Sequence, residues 1–150
     1  MSGLVAGPVL SVVIPMYNEE DALVPLIERL RPALDAIGEP YEVVAVDDGS
    51  RDTTAQLLLG ARRMWPQLRV VRLRRNAGHQ AALTAGLDRA QGDLVVTLDG
   101  DGQHPPELIV QMVELHQAGY DIVLTQRVTG SLRTDRKLIR VCHLSSRVTE

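Results

Sequence analysis

Leu94-Val95-Val96-Thr97-Leu98-Asp99-Gly100-Asp101-Gly102-Gln103-His104-Pro105-Pro106-Glu107 is a short apolar run with β-branched residues that ends abruptly in two carboxylates. The apolar part reads as a strand buried on both faces. Pro105 and Pro106 occupy the first positions of a helical pattern, where a missing N–H does no harm and a fixed φ helps. The acidic pair therefore sits on a bend between a core strand and a helix, and Gly100 and Gly102 let another molecule approach the backbone closely. Residues two apart in extended chain point the same way. Asp99 and Asp101 are thus placed to share one divalent cation, with Gln103 adding a neutral oxygen, a ligand set that suits magnesium or manganese. An isolated Asp-x-Asp beside glycine is more often a solvated turn. Position favours a site here, because open parallel sheets bind their ligands at the carboxyl ends of strands.

Outward from this stretch the chain alternates strands and helices. Leu10 to Ile14, Glu42 to Val46 and Leu68 to Leu73 are strand candidates ahead of it, and Asp121 to Thr125 is a fifth, closing at Gln126-Arg127. From Asp21, the apolar residues Leu23, Leu26, Ile27, Leu30, Leu34 and Ile37 recur at helical spacing towards a Gly38 cap, with Pro32 expected to kink or split the helix. A second helix starts at Asp52 or Thr53 and runs towards Trp65. A third follows Asn76-Ala77-Gly78, and its small residues Ala81, Ala82, Ala85 and Gly86 let it lie close to a sheet or a bound phosphate. In the helix after the acidic stretch, Leu108, Ile109, Met112, Val113 and His116 form the inward stripe. This alternation predicts an α/β fold: an open, doubly wound, mostly parallel sheet with right-handed crossovers and helices on both faces. Beyond Arg127 the pattern changes to a basic amphipathic segment containing Arg133, Arg136, Lys137, Arg140 and Arg147. A solvated terminal helix is the plainer reading of it and a membrane-surface element the alternative. The expected division is a domain over 1–130 and this segment over 131–150.

Composition narrows the function classes. The chain has 150 residues, enough to bury the core of one domain, and its 45% hydrophobic and 23% charged content is ordinary for a globular protein. A formal net charge of -3, with 3% aromatic residues and no Phe, argues against a nucleic-acid partner. Cys142 is the single cysteine and has no internal disulfide partner; a reducing compartment is expected. No run approaches the roughly 20 apolar residues of a spanning helix.

In a parallel sheet, Pro15 to Glu19, Asp47 to Asp52, Asn76 to Gln80 and Asp99 to Gln103 all emerge on one edge and supply one crevice. Carboxylates gathered there repel one another unless a cation neutralises them, so a metal with a diphosphate as its second ligand is the economical reading. Singly the residues are ambiguous. Asp48 suits a ribose hydroxyl or the Gly49-Ser50 turn. Tyr17 suits a nucleobase or the core, Glu19 the start of the following helix, His79 a phosphate or the surface, and His104 a cap. The Gly-x-Gly-x-x-Gly and Gly-Lys-Ser/Thr loops are absent, which counts against a dinucleotide oxidoreductase and a P-loop nucleotidase.

Four ordered motifs carry a family resemblance: Val12-Val13-Ile14-Pro15-Met16-Tyr17-Asn18-Glu19, Val46-Asp47-Asp48-Gly49-Ser50, Asn76-Ala77-Gly78-His79-Gln80 with Ala85-Gly86-Leu87, and Leu98 to Glu107. Together they resemble family-two glycosyltransferases of the GT-A fold, most closely dolichyl-phosphate mannose synthases and bacterial polyprenyl-phosphate glycosyltransferases. The resemblance implies a hexose donor in the form of a nucleotide-diphosphate sugar, a divalent metal (Mg2+ or Mn2+), a polyprenyl phosphate acceptor, and inversion at the transferred carbon. It places Pro15, Tyr17, Glu19, Val46 and Asp48 around the nucleoside, Asp99, Gly100, Asp101 and Gln103 at the metal and diphosphate, and Arg127 at the donor or acceptor phosphates. A cytoplasmic protein in peripheral contact with a membrane follows from a lipid acceptor. Gly100 and Gly102 depart from the usual Ala and Leu of the acidic motif, which loosens the loop without removing a ligand. The synthases continue past the position of Glu150 into an acceptor-binding segment, so this chain is expected to bind nucleotide diphosphate and metal but to transfer sugar poorly. The rival readings are a non-catalytic nucleotide-binding module and a phosphohydrolase of the haloacid-dehalogenase type.

Overall fold

The computed structural model describes residues 7–127 and 137–142, with side chains over 7–125. By its contacts the chain forms two units, Met1–Glu107 and Leu108–Glu150. In the first, β1 (Leu10–Met16), β2 (Tyr41–Asp47), β3 (Leu68–Arg72) and β4 (Leu94–Thr97) make a four-stranded sheet in the order β3-β2-β1-β4. All three pairings are parallel, with Val12 opposite both Val43 and Val96. The chain steps outward from β1 to β3 and then returns to the other side of β1. Right-handed crossovers therefore place α1 (Glu20–Ile37) and α2 (Thr54–Met64) on one face and α3 (His79–Leu87) on the other. The reversal falls between β1 and β4, where sheets of this kind open a crevice at their carboxyl ends.

Every residue of β1 and β2 is buried, as central strands covered on both faces require. On the α3 face, Val13, Val44, Val46 and Ala82 form a closed cluster. A methyl group added at Gly86 would collide with Val13 Cγ1, so the small residues of α3 are what bring the helix this close to the sheet.

Several local expectations change. β4 is the edge strand among the described residues, and only Val96 of its four residues is buried, with Val95 39% exposed; apolar content alone does not distinguish an edge from a centre. Pro32 does not split α1, which also contains Pro25. Both prolines lie on the exposed face, where water can satisfy the carbonyls they leave without a donor. Gly38 caps α1 in the left-handed conformation at φ 76°, as expected. Pro105 and Pro106 precede the next helix instead of starting it: α4 spans Leu108–Gln117 in the second unit. Its buried residues are Ile109 and Val113, whereas His116 is exposed and its ring Nδ1 lies 3.1 Å from the Tyr120 carbonyl. β5 (Ile122–Arg127) does not extend the parallel sheet. It pairs antiparallel with β6 (Lys137–Cys142), so this part of the basic segment is a strand where a helix was expected. The rest of that segment lies outside the described residues.

Candidate functional site

Three loops at the carboxyl edge are fastened into one body by hydrogen bonds between side chains and backbone. After β1 the backbone turns through Asn18 at φ 53°, a left-handed conformation that Asn tolerates better than most residues. The Asn18 N–H donates to Ser50 Oγ at 3.0 Å, and the Arg51 N–H donates back to Asn18 Oδ1 at 2.9 Å. Next along, the Glu19 N–H donates to Thr54 Oγ1 at 2.9 Å. Glu20 Oε2 accepts from the N–H and hydroxyl of Thr53 at 3.0 and 2.7 Å. These bonds also give the amino ends of α1 and α2 partners for backbone N–H groups that a helix leaves unpaired.

The second loop is held against the third. Asp47 Oδ1 accepts the Ser50 N–H at 2.9 Å and closes the turn in which Gly49 sits at φ 68°. A Cβ at Gly49 would lie 2.6 Å from the Arg75 carbonyl carbon, so only glycine fits there. Asp48 is 3% exposed and receives the N–H groups of Ala77 and Gly78, one on each carboxylate oxygen, at 2.7 and 2.9 Å. Asp47, not Asp48, is therefore the residue that holds the Gly49-Ser50 turn; Asp48 instead fixes the approach to α3.

Around these loops lies a cleft of about 510 Å³ lined by Pro15, Met16, Tyr17, Glu19, Asp48, Asn76, Gly78, His79, Ala82, Asp99, Gly100 and Asp101. Eight residues singled out by sequence meet here: Pro15, Tyr17, Glu19, Asp48, His79, Asp99, Gly100 and Asp101. Tyr17 is 37% exposed, so it faces the cleft and not the core. Val46 is wholly buried in the cluster beneath α3 and is not a lining residue, because alternation along β2 turns it to the same side as Val44. Gln103 lies outside the lining, and its N–H donates to Asp101 Oδ1 at 2.9 Å. Arg127 ends β5 in the second unit, and its side chain is outside the described residues. Sequence reasoning missed the clamps formed by Asn18, Thr54 and Asp47. The spacing of Asp47 and Ser50 is an available signal, since an Asp side chain commonly accepts a nearby backbone N–H in a turn.

The electrostatics of the cleft are one-sided. Burial pushes the Glu19 carboxyl above its ordinary range, and the charges of Asp101 and Asp52 push it further. Asp99 has His104 Nδ1 at 3.3 Å and His79 Nε2 at 4.0 Å. A Cβ at Gly100 would lie 2.7 Å from Met16 Cγ, so the acidic turn seats directly on the end of β1. The far end of the acidic loop is tied to α1 by a two-pronged pair, with Arg29 Nε and Nη2 donating to Glu107 at 2.9 and 2.7 Å.

Among the described residues no three His, Cys, Asp or Glu side chains converge tightly enough to hold a metal by themselves. The donor set nevertheless fits a hard cation. Asp99 and Asp101 both face the cleft, where burial first and then the charges of Asp101 and Asp52 raise Glu19, and a cation offsets the negative charge gathered there. Magnesium-type ions commonly take one or two carboxylates and complete their shell with phosphate oxygens and water.

Residues 11–143 match the family model described as "Glycosyl transferase family 2". The chain is 46% identical over 128 residues to the undecaprenyl-phosphate 4-deoxy-4-formamido-L-arabinose transferase of Edwardsiella ictaluri, a match covering 85% of this chain and 38% of that protein. Among solved structures it is similar to the mannosyltransferase PcManGT from Pyrobaculum calidifontis in complex with GDP-Man and Mn2+, with a TM-score of 0.61 and 28% identity over 79% of this chain and 35% of that one. It is also similar to S. aureus TarS 1-349 in complex with UDP-GlcNAc, with a TM-score of 0.57 and 26% identity over 74% of this chain and 31% of that one. The chain thus spans well under half the length of each.

Proposed function

The chain belongs to glycosyl transferase family 2, and from that premise we propose that it forms the donor-binding part of an enzyme that moves a sugar from a nucleotide-diphosphate sugar to a polyprenyl phosphate. One observation carries this reading: loops following β1, β2, β3 and β4 meet in a single cleft at the reversal of strand order, with carboxylates facing it. Support for the substrates comes from the relative that acts on undecaprenyl phosphate and from the solved complexes with GDP-Man and UDP-GlcNAc.

In this proposal Pro15 and Tyr17 pack against the nucleobase. Asp48 keeps the Asn76 to Gly78 backbone at the nucleoside, since its oxygens already serve that loop. Asp99 and Asp101 hold a divalent metal, Mg2+ or Mn2+, with Gln103 beside them and Glu19 adding negative charge. His79 and His104 orient the Asp99 carboxylate. When bound, the metal supplies positive charge to the diphosphate of the departing nucleotide. A phosphate acceptor is already anionic near neutral pH, so no side chain needs to remove a proton from it. Attack opposite the leaving group inverts the transferred carbon. Arg127 is assigned to the donor or acceptor phosphates.

A hexose is the donor sugar in this reading, as in dolichyl-phosphate mannose synthesis. The relative from Edwardsiella favours a modified arabinose as the second candidate. No helix of the described residues is long and apolar enough to cross a membrane; from the lipid acceptor alone we propose that the protein contacts the cytoplasmic face of one.

The test is transfer from labelled GDP-mannose, UDP-N-acetylglucosamine and arabinose-type donors to undecaprenyl phosphate with manganese. Lipid-linked sugar that disappears in Asp101→Asn supports the proposal. Weak transfer beside metal-dependent donor binding is what a donor-binding part alone should give, whereas metal-dependent binding with neither transfer nor release of sugar marks a nucleotide-binding module. Release of phosphate from unrelated esters marks a hydrolase.

A further inference from the structure

A second hollow of about 520 Å³ adjoins the cleft and has opposite electrostatics. Its lining is Gly49, Ser50, Arg51, Arg72, Leu73, Arg74, Arg75 and Asn76. Four of the eight residues are arginines and none is acidic, on a chain whose formal net charge is -3. Among the described residues Asp47 is the one carboxylate paired with any of them. Its Oδ2 lies 3.1 Å from Arg72 Nε, off the line of a hydrogen bond, and Asp47 itself is wholly buried. Arg51, Arg74 and Arg75 are exposed, and the proposed transfer reaction assigns a role to none of the four.

The backbone that carries these arginines is fixed before any ligand arrives. The Arg51 N–H donates to Asn18 Oδ1 at 2.9 Å, and the Leu73 N–H donates to the Asp47 carbonyl at 2.9 Å. Gly49 lets the Arg75 backbone pass within the space a Cβ would need. Four guanidinium groups held around one concavity repel one another unless an anion lies between them. Their planar, multi-donor heads match phosphate oxygens, which accept two parallel N–H bonds from each.

We propose that Arg51, Arg72, Arg74 and Arg75 form a binding pocket for a phosphate-bearing anion, separate from the metal-dependent donor cleft and sharing with it only Asn76 as a lining residue. Two sources offer this chemistry: a free phosphate or pyrophosphate, and the phosphate headgroup of an anionic lipid.

Calorimetric titration of the chain with sodium pyrophosphate in EDTA isolates this pocket, because without a metal the carboxylates of the donor cleft repel the same anion. Saturable binding is expected, weakened roughly tenfold or more in Arg74→Ala/Arg75→Ala, less in Arg51→Ala, partly restored in Arg74→Lys/Arg75→Lys, and retained in Asp101→Asn. Flotation with phosphatidylcholine vesicles, with and without phosphatidylglycerol, separates the sources. Arginine-dependent association with the anionic vesicles assigns the pocket to lipid headgroups, whereas pyrophosphate binding without vesicle association assigns it to free phosphate. Failure of both probes to bind, or binding lost in Asp101→Asn and unaffected by removal of Arg74 and Arg75, overturns the proposal.

Discussion

The two ends of the same parallel sheet treat carboxylates in opposite ways. At the amino ends of β1 and β2, Glu42 is 5% exposed and every need of its charge is met within the chain. Oε1 accepts the Ser11 hydroxyl at 2.7 Å and the Gln91 N–H at 2.6 Å, and Oε2 accepts Arg69 Nη1 at 2.6 Å. Burial by itself raises the Glu42 carboxyl, but the hydrogen bonds from Arg69, Ser11 and Gln91 together hold it below its ordinary range. At the carboxyl ends, Glu19 is pushed upward by burial and by Asp101, and among the described residues no arginine or lysine lines the cleft. A carboxylate satisfied internally fastens strands; carboxylates gathered without a counter-charge create demand for a ligand that brings one.

The widest separation of the two ends is expected from Glu42→Ala. Removing this buried carboxylate leaves the Ser11 hydroxyl and the Gln91 N–H without their acceptor, at a cost of about 3 kcal/mol read by urea unfolding, while partly exposed Arg69 keeps water and the Arg89 carbonyl and metal-dependent nucleotide affinity stays unchanged. Comparable losses of affinity and stability would mean that the two ends are not independent. Asp101→Asn should do the converse. Stability without ligand is kept or slightly increased, while the stabilisation by manganese and nucleotide, about 2.7 kcal/mol at a hundredfold excess over Kd, disappears.

A smaller effect with a distinctive sign comes from Glu19→Gln. A carboxyl raised on folding penalises the folded state fully above its raised pKa and not at all below its ordinary value near 4.5. The variant should therefore be more stable than the parent at neutral pH, with an advantage that shrinks on acidification through the raised pKa. Glu42 has the opposite linkage. Its contribution is complete above the unfolded value near 4.5 and is lost as pH falls through its lower folded pKa. An acid titration of parent and variants by circular dichroism reads both signs. The smallest change is expected from Arg29→Ala, whose pair with Glu107 is half exposed and worth less than about 1 kcal/mol.

Much of this asymmetry is legible in the chain. Apolar β-branched runs followed by Asp, Gly and Asn locate β1, β2 and β4 and put their loops on one edge, because parallel strands send all their carboxyl ends the same way. What is lost is whatever depends on neighbours. Val46 stands beside Asp47 in sequence but turns under α3 with Val44. Asp47 and Asp48 are alike as letters, yet one closes its own turn and the other reaches the next loop. Pro25 and Pro32 are tolerated because both fall on the solvent side of α1, which only the packed helix reveals. The antiparallel pairing of β5 with β6 is hidden for another reason: the basic residues of β6 read equally well as a helix face.

Paramagnetic broadening of backbone amide signals by Mn2+ in the presence of UDP or GDP asks most directly whether the carboxyl edge holds the metal with its diphosphate. Signals from residues 16–20, 76–80 and 99–103 should vanish at substoichiometric Mn2+, those of Glu42, Arg69 and residues 89–92 should persist, and Asp101→Asn should abolish the effect. Broadening centred elsewhere, or unchanged in Asp101→Asn, would contradict the assignment of the cleft.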